Sequence, residues 1–150
     1  MGWKSIGTFD YPDKCIVIAA PHTSNWDFLI GRCYGYINGI KAKYLIKSSL
    51  FIPVLGTFFR WNGGIPVYRD SKNNLVDQLV ERFNSTDKLI LGIAPEGTRS
   101  RVKKWKTGFY HIAYKANIPI LLVGVDFKKK KIGVINSLKP TGDIKKDMLF

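Results

Sequence analysis

The apolar positions fall into short blocks separated by polar turns, and their spacing changes from block to block. Cys15 to Ala20 is a continuous apolar run, the pattern of a strand covered on both faces. Thr23, Ser24 and Asn25 then offer side-chain caps, and Asp27 to Ile37 carries apolar residues at helical spacing. Lys43 to Ile46 and Gly64 to Tyr68 read as strands. Between them, Phe51 to Trp61 is apolar and aromatic, interrupted by Pro53 and Gly56. Asn73 to Phe83 is amphipathic, with Leu75, Leu79, Val80 and Phe83 on one helical face. Lys88 to Ala94 reads as a buried strand, Gly108 to Ala116 as a helix, and Ile118 to Val125 and Lys131 to Ile135 as strands.

Strands alternating with helices predict an α/β fold: a mixed, largely parallel sheet flanked by helices. There is no linker, repeat or low-complexity block, so residues 1–150 are expected to form a single domain. In such folds, ligand sites lie beyond the carboxyl ends of the strands. His22 follows one strand, Arg69 a second, and Glu96 and Arg99 a third. Parallel strands would bring all of them to one edge.

Charge narrows the partners. Lys plus Arg is 24 against 11 for Asp plus Glu, a net +13 with a pI near 9.8. Such a surface favours nucleic acid, an anionic membrane or a phosphate-bearing substrate. Arg99, Arg101, Lys103, Lys104 and Lys106 cluster around Trp105, a composition suited to an anionic headgroup layer. Lys128 to Lys131 reads as a solvated hairpin turn. No aromatic RNA-binding signature or recognition-helix pattern accompanies the charge, so nucleic acid is not the expected partner. No apolar run approaches the roughly 18 residues of a spanning helix, and the N-terminus lacks a secretory core. Cys15 and Cys33 have no metal-ligand spacing with His22 or His111 and read as buried apolar residues in a reducing, cytosolic compartment. No metal is expected. His111, between apolar neighbours in a helix, reads as a packed residue.

Three segments carry candidate chemistry. In Pro-His-Thr-Ser-Asn-Trp-Asp, residues 21 to 27, a neutral His22 can take a proton from an attacking hydroxyl. Asp27 can orient that imidazole and stabilise the imidazolium. Alone, the pair is a weak signal that a capped helix start explains, with Asp27 favoured by the helix dipole. In Pro-Glu-Gly-Thr-Arg-Ser, residues 95 to 100, a glycine, two hydroxyls and an arginine make a phosphate cradle without P-loop spacing. An ordinary polar turn, with Glu96 pairing Arg99 or Arg101, reads the same way. In Gly-Gly-Ile-Pro-Val-Tyr-Arg, residues 63 to 69, Arg69 is either a further phosphate ligand or a solvated strand-end arginine.

Taken in order, these segments resemble the glycerolipid acyltransferase family, whose best-known members acylate 1-acylglycerol-3-phosphate. The family's His-four residues-Asp block is similar to His22 through Asp27, and its strand ending in Arg to Gly64 through Arg69. Its Pro-Glu-Gly-Thr-Arg-Ser block stands intact at 95 to 100, and its Val-Pro strand resembles Ile118-Pro119 through Val123. Lys47, Leu50, Pro53, Gly56 and Lys106-Thr-Gly108 are similar landmarks, so the likeness runs from about Ile16 to Val125. The resemblance implies that His22 is the general base and Asp27 its partner. It implies that Gly64, Arg69, Glu96, Gly97, Thr98 and Arg99 bind the acceptor's phosphoglycerol part. The acyl donor would be an acyl-CoA or acyl carrier protein thioester, the acceptor a lysophospholipid, and no cofactor would be required. Phe51 to Phe59 would be core, or would dip into a bilayer or line an acyl channel. The expected location is peripheral, on the cytoplasmic face of an anionic membrane.

Pro21, Ala94 and Leu122 depart from the family's usual Asn, Phe and second Pro. They leave the proposed catalytic groups in place and open the identity of the acceptor, which a different lysolipid or an aminolipid would also fit. The membrane-binding helices that precede the domain in many members are not found, and other members continue into a further helix, so the expectation is a minimal version or a fragment. A nonenzymatic basic module binding anionic lipid would explain the charge, but not the ordered blocks.

Overall fold

A computed structural model of the chain describes residues 2–7, 9–19, 25–68, 74–96 and 104–149. The elements in chain order are β1 (Lys4–Ser5), β2 (Lys14–Ala19), α1 (Asn25–Ile37), β3 (Ala42–Lys47), α2 (Pro53–Trp61), β4 (Gly64–Val67), α3 (Leu75–Asn84), β5 (Leu89–Ile93), α4 (Gly108–Ala116), β6 (Ile120–Asp126), β7 (Lys131–Leu138) and α5 (Ile144–Asp147). The strands form one sheet in the order β1-β7-β6-β2-β5-β3-β4. β2 pairs in parallel with β5 and β6, and β3 with β4 and β5, while β6 and β7 are antiparallel. The α/β fold and the largely parallel sheet expected from the sequence are therefore present. Pro66 sits in β4, at the end of the strand order, where a missing N–H costs no ladder bond on the open side.

Pleating sorts the side chains into two layers. Ile16 and Ile18 of β2, Leu91 of β5 and Ile120 of β6 meet Leu79 and Phe83 of α3 and Phe109, Tyr110 and Ile112 of α4 in the main core. Residues of opposite parity face α1. Leu45 packs on the core, whereas the adjacent Tyr44 meets Phe28 of α1 edge-on, with ring centroids 4.8 Å apart. Arg32 fastens α1 at its far end. Its guanidinium donates to the Ala42 carbonyl at 2.5 Å and to both oxygens of Asn62, at 2.7 and 2.8 Å, which ties α1 to the start of β3 and the end of α2.

Several boundaries differ from the sequence reading, each for a local reason. Phe51 to Trp61 is helical from Pro53 onward, because Pro53 occupies the first turn, where proline is preorganised. Gly56 is the only buried residue of that helix, and a Cβ there would meet the Phe51 backbone at 3.0 Å. Val54 is 81% exposed and Phe58 52%, so the core reading of Phe51 to Phe59 is corrected. α3 starts at Leu75 because Asn74 is its cap, accepting from the Val76 N–H at 3.0 Å. β6 starts two residues after Ile118. Asn117 ends α4 in the left-handed conformation, the Ile118 N–H closes back on Ala113, and the Pro119 carbonyl accepts from Ile16. β7 runs on to Leu138 past a bulge at Ile135, which shifts the apolar alternation there. Ala20, Asn73 and the expected caps Thr23 and Ser24 lie outside the described residues. Two further readings are corrected: Cys33 is only half-buried, and His111 is exposed on α4. Cys15 is buried as expected, and burial pushes its thiol up to about 12.

Candidate active site

The parallel pairings place the ends of β2, β3, β4, β5 and β6 along one edge of the sheet. An open cavity of about 760 Å³ lies at that edge and extends between α1 and the sheet. Asp27 lines it from the first turn of α1, with Ala19 at the end of β2 and Ala94 and Pro95 just past β5. Asp27 is 6% exposed, and its place in the first turn sets the carboxylate where the helix dipole favours negative charge.

The segment with the phosphate-cradle composition is anchored at its base. Pro95 is buried, Glu96 follows it half-buried, and when the chain returns the Lys106 N–H donates to the Pro95 carbonyl at 2.8 Å. α4 begins immediately afterwards, so Gly108 and Phe109 at its N-terminus line the same cavity as Asp27. Lys47, at the end of β3, and Lys106 add cationic side chains to the lining. In the sequence Lys47 is a landmark only, and Lys106 is a landmark and one of the basic residues around Trp105. The signal that could have found Lys47 is its place after a strand, the same one that singles out Arg69. Trp105, expected beside a bilayer, packs against the α3–α4 core, which corrects that expectation.

Of the residues proposed from the sequence, Asp27 and Glu96 lie at this edge. His22, Arg69, Gly97, Thr98 and Arg99 lie outside the described residues; the described chain stops at Ala19, Tyr68 and Glu96 on their N-terminal sides. Gly64 opens β4, at the opposite end of that strand from Tyr68, and is buried. A Cβ on it would stand 3.0 Å from the Phe59 carbonyl and 3.4 Å from Ile46, so the glycine lets α2 close onto β4.

Comparison with known proteins agrees with this architecture. The Acyltransferase family pattern matches residues 7–126, and the chain belongs to that family. It is similar to the 1-acyl-sn-glycerol-3-phosphate acyltransferase of Haemophilus influenzae, 34% identical over 94 residues that cover 59% of this chain and 39% of that one. The Escherichia coli enzyme of the same name is 33% identical over 123 residues, covering 79% of this chain and 49% of that one. The chain thus spans half or less of the length of these relatives. In fold it is similar to the crystal structure of the 1-acyl-sn-glycerophosphate acyltransferase PlsC from Thermotoga maritima, with a TM-score of 0.66 at 20% identity over 96% of this chain and 64% of that one.

Proposed function

We propose that the protein is an O-acyltransferase that moves a fatty acyl group from an acyl-CoA or acyl carrier protein thioester to the hydroxyl of a lysophospholipid in phospholipid biosynthesis. The acceptor suggested by the names of its relatives is 1-acylglycerol-3-phosphate. The observation that carries this reading is Asp27, buried at the cavity where the chain leaves for the Pro-Glu-Gly-Thr-Arg-Ser loop, five residues after His22 in sequence.

In this mechanism His22 removes the acceptor's hydroxyl proton as that oxygen attacks the thioester carbonyl. Asp27 holds the imidazole in the useful tautomer and stabilises its protonated form. The tetrahedral intermediate collapses with cleavage of the carbon–sulfur bond, and the proton passes from His22 to the departing thiolate. Backbone N–H groups at the helix start stabilise the oxyanion. Arg69, Glu96, Gly97, Thr98 and Arg99 hold the acceptor's phosphoglycerol part, with Lys47 and Lys106 adding positive charge. Among the described residues no helix is long and apolar enough to cross a membrane. We place the protein peripherally, on the cytoplasmic face, in keeping with its net +13.

The test is to incubate the protein with labelled acyl-CoA or acyl carrier protein and a panel of lysolipids and aminolipids. Asp27→Asn is expected to lower kcat by about a hundredfold to ten-thousandfold, and His22→Ala at least as much. Wild-type activity in His22→Ala sinks the mechanism; the panel decides the acceptor.

A further inference from the structure

β6 and β7 are joined by a tight turn of consecutive lysines, and its placement bears on the site. β6 runs parallel to β2, with Val123 opposite Ala19. The strand continues to Asp126 before the turn begins, so the turn stands about 10 Å beyond the level at which β2 ends. It therefore projects from the carboxyl edge, on the strand next to the one that leads into His22.

The turn is built to display charge. The Asp126 carboxylate accepts from the Lys129 N–H at 2.8 Å, and Lys130 adopts a left-handed φ of 49°. Lys128, Lys129, Lys130 and Lys131 are all exposed. β1 runs alongside and adds Lys4, paired with Lys131, through a Lys4 N–H bond of 2.8 Å to the Lys130 carbonyl. An aromatic pair sits within this cluster: Trp3 meets Phe127 edge-on, centroids 5.4 Å apart, with Phe127 45% exposed. Asp126 is the single acidic residue in segments 1–9 and 120–142, and its carboxylate is held by the turn. At the opposite end of the same edge, Ile52 and Tyr68 are exposed.

We infer that the Lys128–Lys131 turn, with Lys4 and the Trp3–Phe127 pair, is an anchor for an anionic bilayer surface that sets the carboxyl edge against lipid. The inference rests on the lipid-acylating reading of the site. Lysines supply attraction to anionic headgroups, and amphipathic aromatics favour the headgroup layer. An anchor projecting beside the site brings a lipid-borne acceptor to the cavity without the acceptor leaving the bilayer.

The experiment uses the whole chain, wild type against a variant carrying Lys128→Gln, Lys129→Gln, Lys130→Asn and Lys131→Gln; asparagine keeps the left-handed position tolerable. Binding is measured to phosphatidylcholine vesicles with and without phosphatidylglycerol, and acyl transfer to a lysolipid dispersed in neutral detergent micelles. The wild type is expected to prefer the anionic vesicles, and the preference to shrink with salt. The variant is expected to lose at least about a hundredfold in partitioning, since each near-surface lysine is worth about fivefold, while micellar activity is kept. Equal vesicle binding by the two proteins overturns the anchor, as does equal wild-type binding to neutral vesicles. Parallel loss of micellar activity in a folded variant overturns it too, by placing the turn in catalysis. So does lysine-dependent binding of acyl carrier protein or RNA without vesicle binding. Lysine-dependent vesicle binding by a wild type that acylates nothing upholds the anchor and fails the enzymatic reading instead.

Discussion

Asp27 has two meanings as a letter in the chain and a narrower one in the fold. Its spacing from His22 suits a catalytic pair and equally a capped helix. Burial at a cavity mouth, beside Pro95 and the N-terminus of α4, gives that carboxylate a place a surface cap would not have. Lys47 is less legible, because a lysine after a strand is usually solvated; only the parallel register brings it to the same cavity. If it helps hold a phosphate there, Lys47→Gln should raise KM for a phosphate-bearing acceptor by about two- to fivefold with kcat near wild type, the scale of an exposed ion pair. Steady-state kinetics at low and high salt check this, and the difference should narrow as salt screens the charge. Gly64 carries a role that its motif does not spell out: the motif reads as ligand binding, and in the fold the close approach of Phe59 favours a glycine there.

Elements are most legible where one periodicity runs unbroken, as in α4, whose observed span Gly108–Ala116 matches its pattern. They are least legible where a residue serves two purposes: Pro53 reads as a breaker but starts α2, and two-residue β1 is too short for any pattern. The C-terminal segment is also silent in the sequence, because its fixing is tertiary. Asp147, at the end of α5, is buried and accepts from the Tyr110 hydroxyl at 2.7 Å, the Thr141 N–H at 2.7 Å and the Thr141 hydroxyl. The Gly142 N–H donates in turn to the Tyr110 oxygen at 3.0 Å. The Thr141 N–H first, then the Tyr110 hydroxyl, hold the Asp147 carboxyl below its ordinary range. A carboxylate with a depressed folded-state pKa adds stability that is complete above its unfolded value, near 4, and is lost as pH falls through the folded value. Thermal melts of wild type and Asp147→Asn should therefore differ most at neutral pH and converge under acid. A gap that persists unchanged to the lowest pH would show that the latch does not depend on charge.

At the scale of the molecule, the two faces of the sheet are unequal. Ile16, Ile18 and Leu91 on the α3–α4 face are fully buried, whereas Val17 and Ala19 on the α1 face are only half-buried; both line the cavity, which Leu79, Phe109 and Ile112 also border. Sequence order reveals the edge, because buried strands separated by helices imply parallel pairing, but it carries no measure of how closely α1 sits. Such a gap is either a packing defect or room for a substrate, and Gly31 separates the two. It lies one helical turn after Asp27, lines the cavity, and has open space where a Cβ would stand. The Cβ of Gly31→Leu therefore meets no clash, and the variant should gain about 0.5 kcal/mol from helix propensity. If the cavity were a defect, the filled variant would be more stable and as active as wild type. Because we assign it to substrate, the variant should melt at or above the wild-type temperature while kcat/KM falls by about tenfold or more, the discrimination expected when a few methylenes compete for one apolar pocket. Calorimetry and kinetics on the same preparation decide between the two, since stability alone rises in both cases and only the activity distinguishes a void from a site.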